Sequence, residues 1–239
     1  MKKFLTLIAL FAMTLGVAAQ TFYEWKDGKY TARSISEIDS ITFSLPNVKT
    51  IPDNAVDLGL PSGTLWADRN IGADSPEDYG YYFAWGEIEP KSTYNWDTYK
   101  WCKGGYNELT KYCYDIDNKD TLEFSDDAAT HYWGYKWCVP AYDQLEELEN
   151  ECTWTWTTQK GVNGYRVTGP NGNFIFLPAA GNRRDSNLNS AGSNGYYWLS
   201  SLDYSSTANI LDFYSDKLGL YDSAARGLGC SVRAVVRTE

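Results

Sequence analysis

A dense acidic segment is the first feature of this chain that can support chemistry. Six carboxylates fall within residues 115–127, DIDNKDTLEFSDD, and carboxylate oxygens are the ligands that calcium prefers in proteins. The candidate ligands are Asp115, Asp117, Asp120, Asp126 and Asp127. The EF-hand pattern is not met, because Lys119 occupies a ligand position and Asp120 replaces the turn glycine. A solvated acidic loop is the alternative that these mismatches favour, and no other cofactor is predicted.

Catalysis through a histidine depends on one residue, since His131 is the only histidine of the chain. It lies in AATHYWG, beside aromatic residues, and the sequence contains no Gly-x-Ser-x-Gly nucleophile motif. Glycine-rich phosphate loops of the Walker and dinucleotide-binding types are also missing from the sequence. We therefore expect His131 to be a packed or surface residue and the protein not to be an enzyme.

The first nineteen residues have the pattern of a secretory signal peptide. Lys2 and Lys3 precede an apolar run over 4–17, and Ala19 is a small residue before a predicted cut at Gln20. No cysteine follows that cut to carry a lipid, and no later apolar stretch approaches the length of a membrane span. The sequence thus predicts export across the inner membrane without a transmembrane segment. The periplasm, the cell surface and the extracellular space all stay open as destinations.

The charge of the chain argues against nucleic acid as a partner. It has 21 basic and 31 acidic residues, a formal net charge of −10. A surface that follows phosphates needs clustered Lys and Arg, whereas the basic residues here are scattered and outnumbered. Hydrophobic residues make up 43% of the sequence and aromatic residues 16%, which is ample material for a packed core.

The elements that position these residues begin with an N-terminal β appendage over 20–45. Asp27 and Gly28 separate two alternating runs, which predicts a β-hairpin, and SEIDSITFSL predicts a further strand. Pro46 and Pro52 lie in a predicted linker over 46–54. The main domain is predicted over 55–239.

Two helices and several strands are predicted in the main domain. Ser125 is a candidate N-cap of the first helix, and Pro140 fits the first position of the second. Trp66 and Trp198 are predicted core residues. The predicted strands lie in TLWADRNIG, YYFAWGEI, GYRVTG, NFIFLPAAG, GYYWLSS, ANILDFYS and CSVRAVVR.

Three separated blocks resemble one known family. AVDLGLPSGTLWADRNIGA (55–73), GYYWLSS (195–201) and RGLGCSVRAV (226–235) resemble the Fibrobacter succinogenes major paralogous domain family, which is related to the formylglycine-generating, sulfatase-modifying-factor-like domains. The resemblance covers residues 55–239 and implies a C-type-lectin-like fold. The expected class is therefore α+β: two helices with a twisted, mostly antiparallel sheet and long loops, preceded by the small hairpin segment. In such folds the first and last strands pair, which places CSVRAVVR beside TLWADRN.

The five cysteines permit at most two intramolecular bridges. The resemblance implies a bridge from Cys152 to Cys230, and Cys102 with Cys113 would form a local clip. Buried free thiols are the alternative. The related formylglycine-generating enzymes use a pair of cysteines late in the domain, and only Cys230 follows Cys152 here.

The calcium motifs of sugar-binding lectins are also not met. Lys91 follows Glu89 and Pro90 where an asparagine is required, and Asn95–Trp96–Asp97 reorders the second motif. A lectin-like fold therefore does not by itself imply calcium-dependent sugar binding in this chain.

In similar proteins the loops around the final strands form the ligand face. The candidate ligand-binding residues there are Arg183, Arg184, Asp185, Asn187, Asn189, Tyr204, Tyr214 and Tyr221. Tyr, Asn and Arg are typical of adaptable binding surfaces. The expected function is a secreted, non-catalytic binding module whose ligand is a glycan or a protein. The alternatives are a redox or metal-dependent enzyme of the formylglycine-generating type and a structural subunit of a surface assembly.

Overall fold

The structure is a computed structural model that describes residues 21–26, 29–34 and 52–237, with only the backbone described at 21–34 and at Leu220 and Tyr221. The chain divides into two units, residues 1–50 and 51–239. The predicted signal peptide, the strand predicted over 36–45 and residues 46–51 of the predicted linker lie outside the described residues. Among the residues that are described, no helix is long and apolar enough to span a bilayer.

The first unit contains an antiparallel pair of strands, β1 (Thr21–Lys26) and β2 (Lys29–Ser34). Lys26 lies opposite Lys29, so two residues connect the strands. The hairpin predicted around Asp27 and Gly28 is confirmed by this pairing.

The second unit contains two α-helices and four antiparallel sheets in its described part. The helices are α1 (Ala128–Trp133) and α2 (Tyr142–Glu151). The strands are β3 (Ala55–Asp57), β4 (Leu65–Ala67), β5 (Trp137–Cys138), β6 (Thr153–Gln159), β7 (Val162–Thr168), β8 (Phe174–Pro178), β9 (Asn182–Arg184), β10 (Asn187–Asn189), β11 (Asn194–Tyr204), β12 (Thr207–Tyr214), β13 (Lys217–Ala225) and β14 (Val235–Val236). The sheet orders are β3-β4-β14-β5, β6-β7-β8, β11-β12-β13 and β10-β9. The predicted α+β class, with two helices and mostly antiparallel pairing, is confirmed.

The end of the chain returns to the beginning of the second unit, as predicted for CSVRAVVR. Val235 of β14 lies opposite Trp66 of β4. The contact continues beyond the named strands, since the Ala67 amide donates to the Ala234 carbonyl at 2.9 Å and the Ile71 amide to the Val232 carbonyl at 3.0 Å. The segments that contain β4 and β14 therefore pair in the middle of the four-stranded sheet.

Both helices begin later than predicted, because other groups provide their caps. Asp127, not Ser125, is the N-cap of α1, and its carboxylate accepts from the Thr130 amide at 2.8 Å. Ser125 lies in a short 3-10 turn, Phe124–Asp126. The second helix begins after Ala141, whose amide donates to the Gln144 side chain at 2.9 Å.

The segment YYFAWGEI is not a regular strand. Only Phe83 forms a bridge, with Cys230. Gly80 and Gly86 flank this bridge with φ of +71° and +74°, a left-handed region that breaks strand geometry on both sides. A Cβ at Gly80 would lie 2.4 Å from the Ile71 carbonyl oxygen, so this close approach requires glycine.

The sheet of β11, β12 and β13 lies between two hydrophobic clusters. One face contributes Tyr197, Leu211 and Phe213 to the first cluster, and the other contributes Trp198 and Ile210 to the second. All five side chains are buried. Because both faces are covered, neighbouring residues of one strand, such as Tyr197 and Trp198, are both buried. Trp66 and Trp198 are 2% and 1% exposed, which confirms both as core residues.

Two arginines are fully buried and are bound by neutral groups. The Arg233 guanidinium donates to the Asn70 side chain at 3.0 Å and to the carbonyls of Ala67 and Phe176 at 3.3 and 2.9 Å. Burial lowers the pKa of Arg233 to about 10, so it remains charged at neutral pH. Arg233 thereby joins the segments of β4 and β8 to the closing segment.

The second buried arginine, Arg226, fixes a long loop. Its guanidinium lies 5.1 Å from the Trp85 ring and donates to the Tyr99 hydroxyl at 2.9 Å. It also donates to the carbonyls of Lys111, Tyr112 and Ser205 at 2.9, 3.0 and 2.7 Å. Arg226 therefore connects positions 99 and 111–112 of the segment 91–113, here called the aromatic loop, to the turn between β11 and β12.

Candidate functional site

The β9–β10 hairpin brings together five of the eight predicted ligand-binding residues. Arg183 and Arg184 lie in β9, Asp185 lies in the turn, and Asn187 and Asn189 lie in β10. The side chains from position 184 to 189 are exposed. The hairpin therefore presents cationic, anionic and amide groups within a few residues of one another, as a surface for polar recognition requires.

Two other segments hold the first strand and the turn of this hairpin in place. Arg183 exchanges backbone hydrogen bonds with Gly229, at 2.7 and 2.9 Å, and Asp185 exchanges them with Tyr94, at 2.8 and 2.9 Å. A Cβ at Gly229 would lie 2.7 Å from the Tyr94 ring, so the three segments approach closely only because residue 229 is glycine. A ligand that contacts this hairpin would have little backbone entropy to remove.

The side chain of Asn95, from the triplet Asn95–Trp96–Asp97, orients Asp185. The Asn95 amide nitrogen donates to Asp185 Oδ1 at 2.8 Å, while Asn95 Oδ1 accepts from the Thr98 amide at 3.1 Å. Asn95 thus caps a short 3-10 turn, Trp96–Thr98, and fixes the tip of the hairpin at the same time. Asp185 has a φ of 54°, a conformation that Asp tolerates better than most residues.

The Arg183 side chain packs inward, in contrast to its exposed neighbours. Its guanidinium lies 5.0 Å from the centroid of the Tyr82 ring. Tyr82 is buried and donates to the Ala180 carbonyl at 2.6 Å. Arg183 is therefore a support of the surface, whereas Arg184 faces solvent.

Two of the predicted tyrosines, Tyr204 and Tyr214, lie far from each other. Tyr204 lies opposite Thr207 and Tyr214 lies opposite Asn194, at the two ends of β12. An eight-residue strand separates its ends by about 24 Å, so one small ligand cannot reach both rings. Tyr221 lies in β13, and its side chain is outside the described residues. Tyr204 and Tyr214 therefore cannot belong to one small-ligand site, and the ligand-binding role of the eight residues stays a prediction.

Hydrogen-bond donors of the protein itself occupy the carboxylates of Asp117 and Asp126 in the acidic segment 115–127. The Asp117 carboxylate accepts from the amides of Tyr112 and Cys113 at 3.0 Å each. Burial raises its pKa, but these backbone hydrogen bonds outweigh burial and lower the pKa overall. Asp126 is buried, accepts from the Tyr112 hydroxyl at 2.7 Å and pairs with Lys111 at 2.5 Å.

The other calcium candidates point elsewhere. Asp127 caps α1 and also accepts from the Val139 amide at 3.0 Å, and burial raises its pKa. Asp120 accepts from the Thr121 hydroxyl, and Asp115 is exposed. Over residues 52–237, no group of three His, Cys, Asp or Glu side chains is arranged to hold a metal ion. The geometry therefore gives the calcium expectation no support.

Neither predicted disulfide is formed, and all five cysteines are free thiols. Cys152 packs against the first hydrophobic cluster, whereas Cys230 is fully buried in the second, so the two belong to different layers. Cys102 donates to the Trp96 carbonyl at 2.8 Å instead of bonding Cys113. Burial raises the pKa of Cys152 to about 11 and that of Cys230 further. These two thiols are therefore protonated at neutral pH.

A second polar and aromatic group surrounds His131. Its Nε2 lies 3.4 Å from Glu89 Oε1, and its ring meets that of Tyr132 edge to face with centroids 5.1 Å apart. Burial and the nearby Glu89 carboxylate raise the pKa of the Tyr132 hydroxyl. Tyr81 completes the group, with its ring centroid 5.5 Å from that of Tyr132. Local sequence does not connect His131 with Glu89 or Tyr81, because these two residues lie some 40 to 50 positions earlier in the chain.

Comparison of the chain with protein-family models, with curated proteins and with solved structures gave no match.

Proposed function

We propose that this chain is a secreted, non-catalytic binding module of the Fibrobacter succinogenes major paralogous domain family, with a C-type-lectin-like fold and a glycan or protein ligand. The observation that carries the proposal is the β9–β10 hairpin. Its exposed Arg184, Asn187 and Asn189 lie on a hairpin whose first strand and turn hydrogen-bond to Gly229 and Tyr94. Exposed polar groups on a rigid support favour recognition of a polar ligand.

The pairing of β4 with β14 supports the proposed fold. It joins the beginning and the end of the second unit, as the C-type-lectin-like fold requires. Long loops between residues 68 and 127, supported by Arg226, agree with that fold as well. The signal-peptide pattern of residues 1–19 supports export.

The environments of the nucleophile candidates support binding over catalysis. Cys230 is the single cysteine late in the domain, and burial holds it as a thiol, whereas a reactive cysteine is an accessible thiolate. His131 faces Glu89 and Tyr132, and burial together with Glu89 raises the pKa of the Tyr132 hydroxyl. That hydroxyl is consequently a poorer nucleophile than an ordinary tyrosine.

An array of glycans and peptides, probed with residues 20–239, tests the proposal. Parallel runs with added calcium and with a chelator distinguish calcium-dependent from calcium-independent binding. We expect a signal that is indifferent to the chelator and that weakens when Arg184 and Asn187 are both changed to alanine. A substrate that is turned over, with activity lost in Cys230→Ser or His131→Gln, would contradict a non-catalytic role.

A further inference from the structure

We propose that Tyr81, Tyr132, His131 and Glu89 form a second binding site, here called the aromatic corner, which holds a terminal neutral sugar residue. The proposal rests on the proposed function in one respect, that the protein is a binding module. It concerns residues outside the β9–β10 hairpin and a narrower class of ligand.

The ring surfaces of the corner are available to a ligand. Tyr81 is 41% exposed, the His131 side chain 41% and the Glu89 side chain 70%. Tyr81 and His131 thus leave part of their ring surfaces open to a ligand beside an exposed carboxylate. A sugar presents weakly positive C–H groups to an aromatic face and hydroxyl donors to a carboxylate, so it satisfies both.

The corner is rigid, although its residues come from three separate segments. Tyr81 packs over Gly72, where an added Cβ would lie 2.3 Å from the Tyr81 ring, and its amide donates to the Ile71 carbonyl at 2.9 Å. Tyr132 lies on α1, which Asp127 caps at its start and Gly134 ends with a φ of +87°. Rings held in this way lose little side-chain entropy when a ligand binds.

The angles between the rings favour the end of a glycan over the middle of a chain. Tyr81 and Tyr132 meet at 57°, and Tyr132 and His131 at 83°. Rings at these angles do not lie in one plane, so they do not form a flat platform on which successive sugars could lie. One sugar residue can place a C–H face against Tyr81 while its hydroxyls reach Glu89 and His131.

The charge of the corner favours a neutral sugar. Glu89 is the exposed acid, and an acidic sugar would bring a second carboxylate towards it at a cost in free energy. The His131 imidazole lies 3.4 Å from the Glu89 carboxylate, and Glu89 contributes to the raised pKa of the Tyr132 hydroxyl. A quaternary ammonium ion is the competing ligand, since aromatic rings with an acid can also bind such cations.

The test is a titration of residues 20–239 with methyl glycosides of neutral hexoses, a uronic acid and choline, followed by NMR or calorimetry. Tyr81→Ala and Glu89→Gln are the test variants, and Tyr135→Ala is a matched control, since Tyr135 is 58% exposed and follows α1. We expect hexose affinity to fall about tenfold or more in both test variants and to be unchanged in the control. Thermal unfolding of each variant verifies that it is folded.

The outcomes separate the corner from the proposed function. Hexose binding that survives both test variants but is lost in Arg184→Ala/Asn187→Ala would overturn the corner and leave the binding module intact. Preference for choline or the uronic acid, or no hexose binding at all, would also overturn it. Failure of the proposed function would require, in addition, that no glycan or peptide of the array binds.

Discussion

Asn95 Nδ2 donates a 2.8 Å hydrogen bond to Asp185 Oδ1 and so joins a capped turn of the aromatic loop to the tip of the β9–β10 hairpin. The two residues are 90 positions apart in the sequence. Because Asn95 also caps the turn Trp96–Thr98, one side chain determines both the position of the loop and the direction of the Asp185 carboxylate.

Asn95→Ala should remove this link and the cap together. We expect the free energy of unfolding to fall by about 1 to 2 kcal/mol, since a cap and a hydrogen bond to a carboxylate are lost. Chemical unfolding in urea measures the change. Asp97→Ala is the matched control, as Asp97 lies exposed in the same turn, and an equal effect of both variants would contradict the role given to Asn95.

Arg226→Met should destabilise the protein far more than an exposed substitution does. The carbonyls of Lys111, Tyr112 and Ser205 would lose their donor, and we expect a loss of about 3 kcal/mol or more. Arg184→Met, at an exposed position, should change stability by no more than about 0.5 kcal/mol. Similar urea midpoints for the two variants would show that the buried guanidinium does not hold the loop.

Glu77 should make stability depend on acid pH. Its hydrogen bond from Gln159 at 2.6 Å is the main cause that lowers the pKa of this carboxyl from 4.5 to about 2. Because the folded pKa is depressed, the stabilisation is complete above about pH 4.5 and is lost as the pH falls towards 2. Glu77→Gln should cost about 2 kcal/mol at pH 7, and this difference should shrink towards zero at pH 2. A constant difference from pH 6 to pH 2 would argue against the hydrogen bond as its source.

The thiols should titrate as five free groups. In denaturant without reductant we expect five reactive thiols per chain, since no disulfide is present. In the native protein Cys230 should not react, because it is fully buried, and Cys138 and Cys152, each with a pKa raised to about 11, should react slowly. A count of three or one thiol in denaturant would show bridges, and a fast native thiol would revive the redox alternative.

The local patterns predicted local structure well. The alternation around Asp27 and Gly28 predicts the β1–β2 pairing, and GYRVTG and NFIFLPAAG predict the strands β7 and β8, which pair with each other. No strand is predicted for residues 153–159, although TWTWTTQ alternates as a half-buried strand does and forms β6. The alternation of this segment is thus a local signal that suffices to predict β6.

Long-range contacts account for what local patterns could not predict. Arg233 alternates with apolar residues and so resembles a solvent-facing position, yet its carbonyl partner on Phe176 is 57 residues away. In the same way, the spacing of Tyr204 and Tyr214 does not disclose that they lie at opposite ends of β12. Tyr204 and Tyr214 are close in the sequence, but the sheet separates them. His131 is distant from Glu89 and Tyr81 in the sequence, but the fold brings these residues together.

The most direct test of the central claim compares residues 20–239 with the Arg184→Ala/Asn187→Ala variant on one array of glycans and peptides, with recovery and analysis of the bound ligand. We predict at least one ligand that is bound reversibly, is recovered chemically intact and loses about tenfold or more of its affinity in the variant. An array on which no signal depends on the hairpin, or a ligand recovered as a reaction product, would contradict a non-catalytic binding surface on the β9–β10 hairpin.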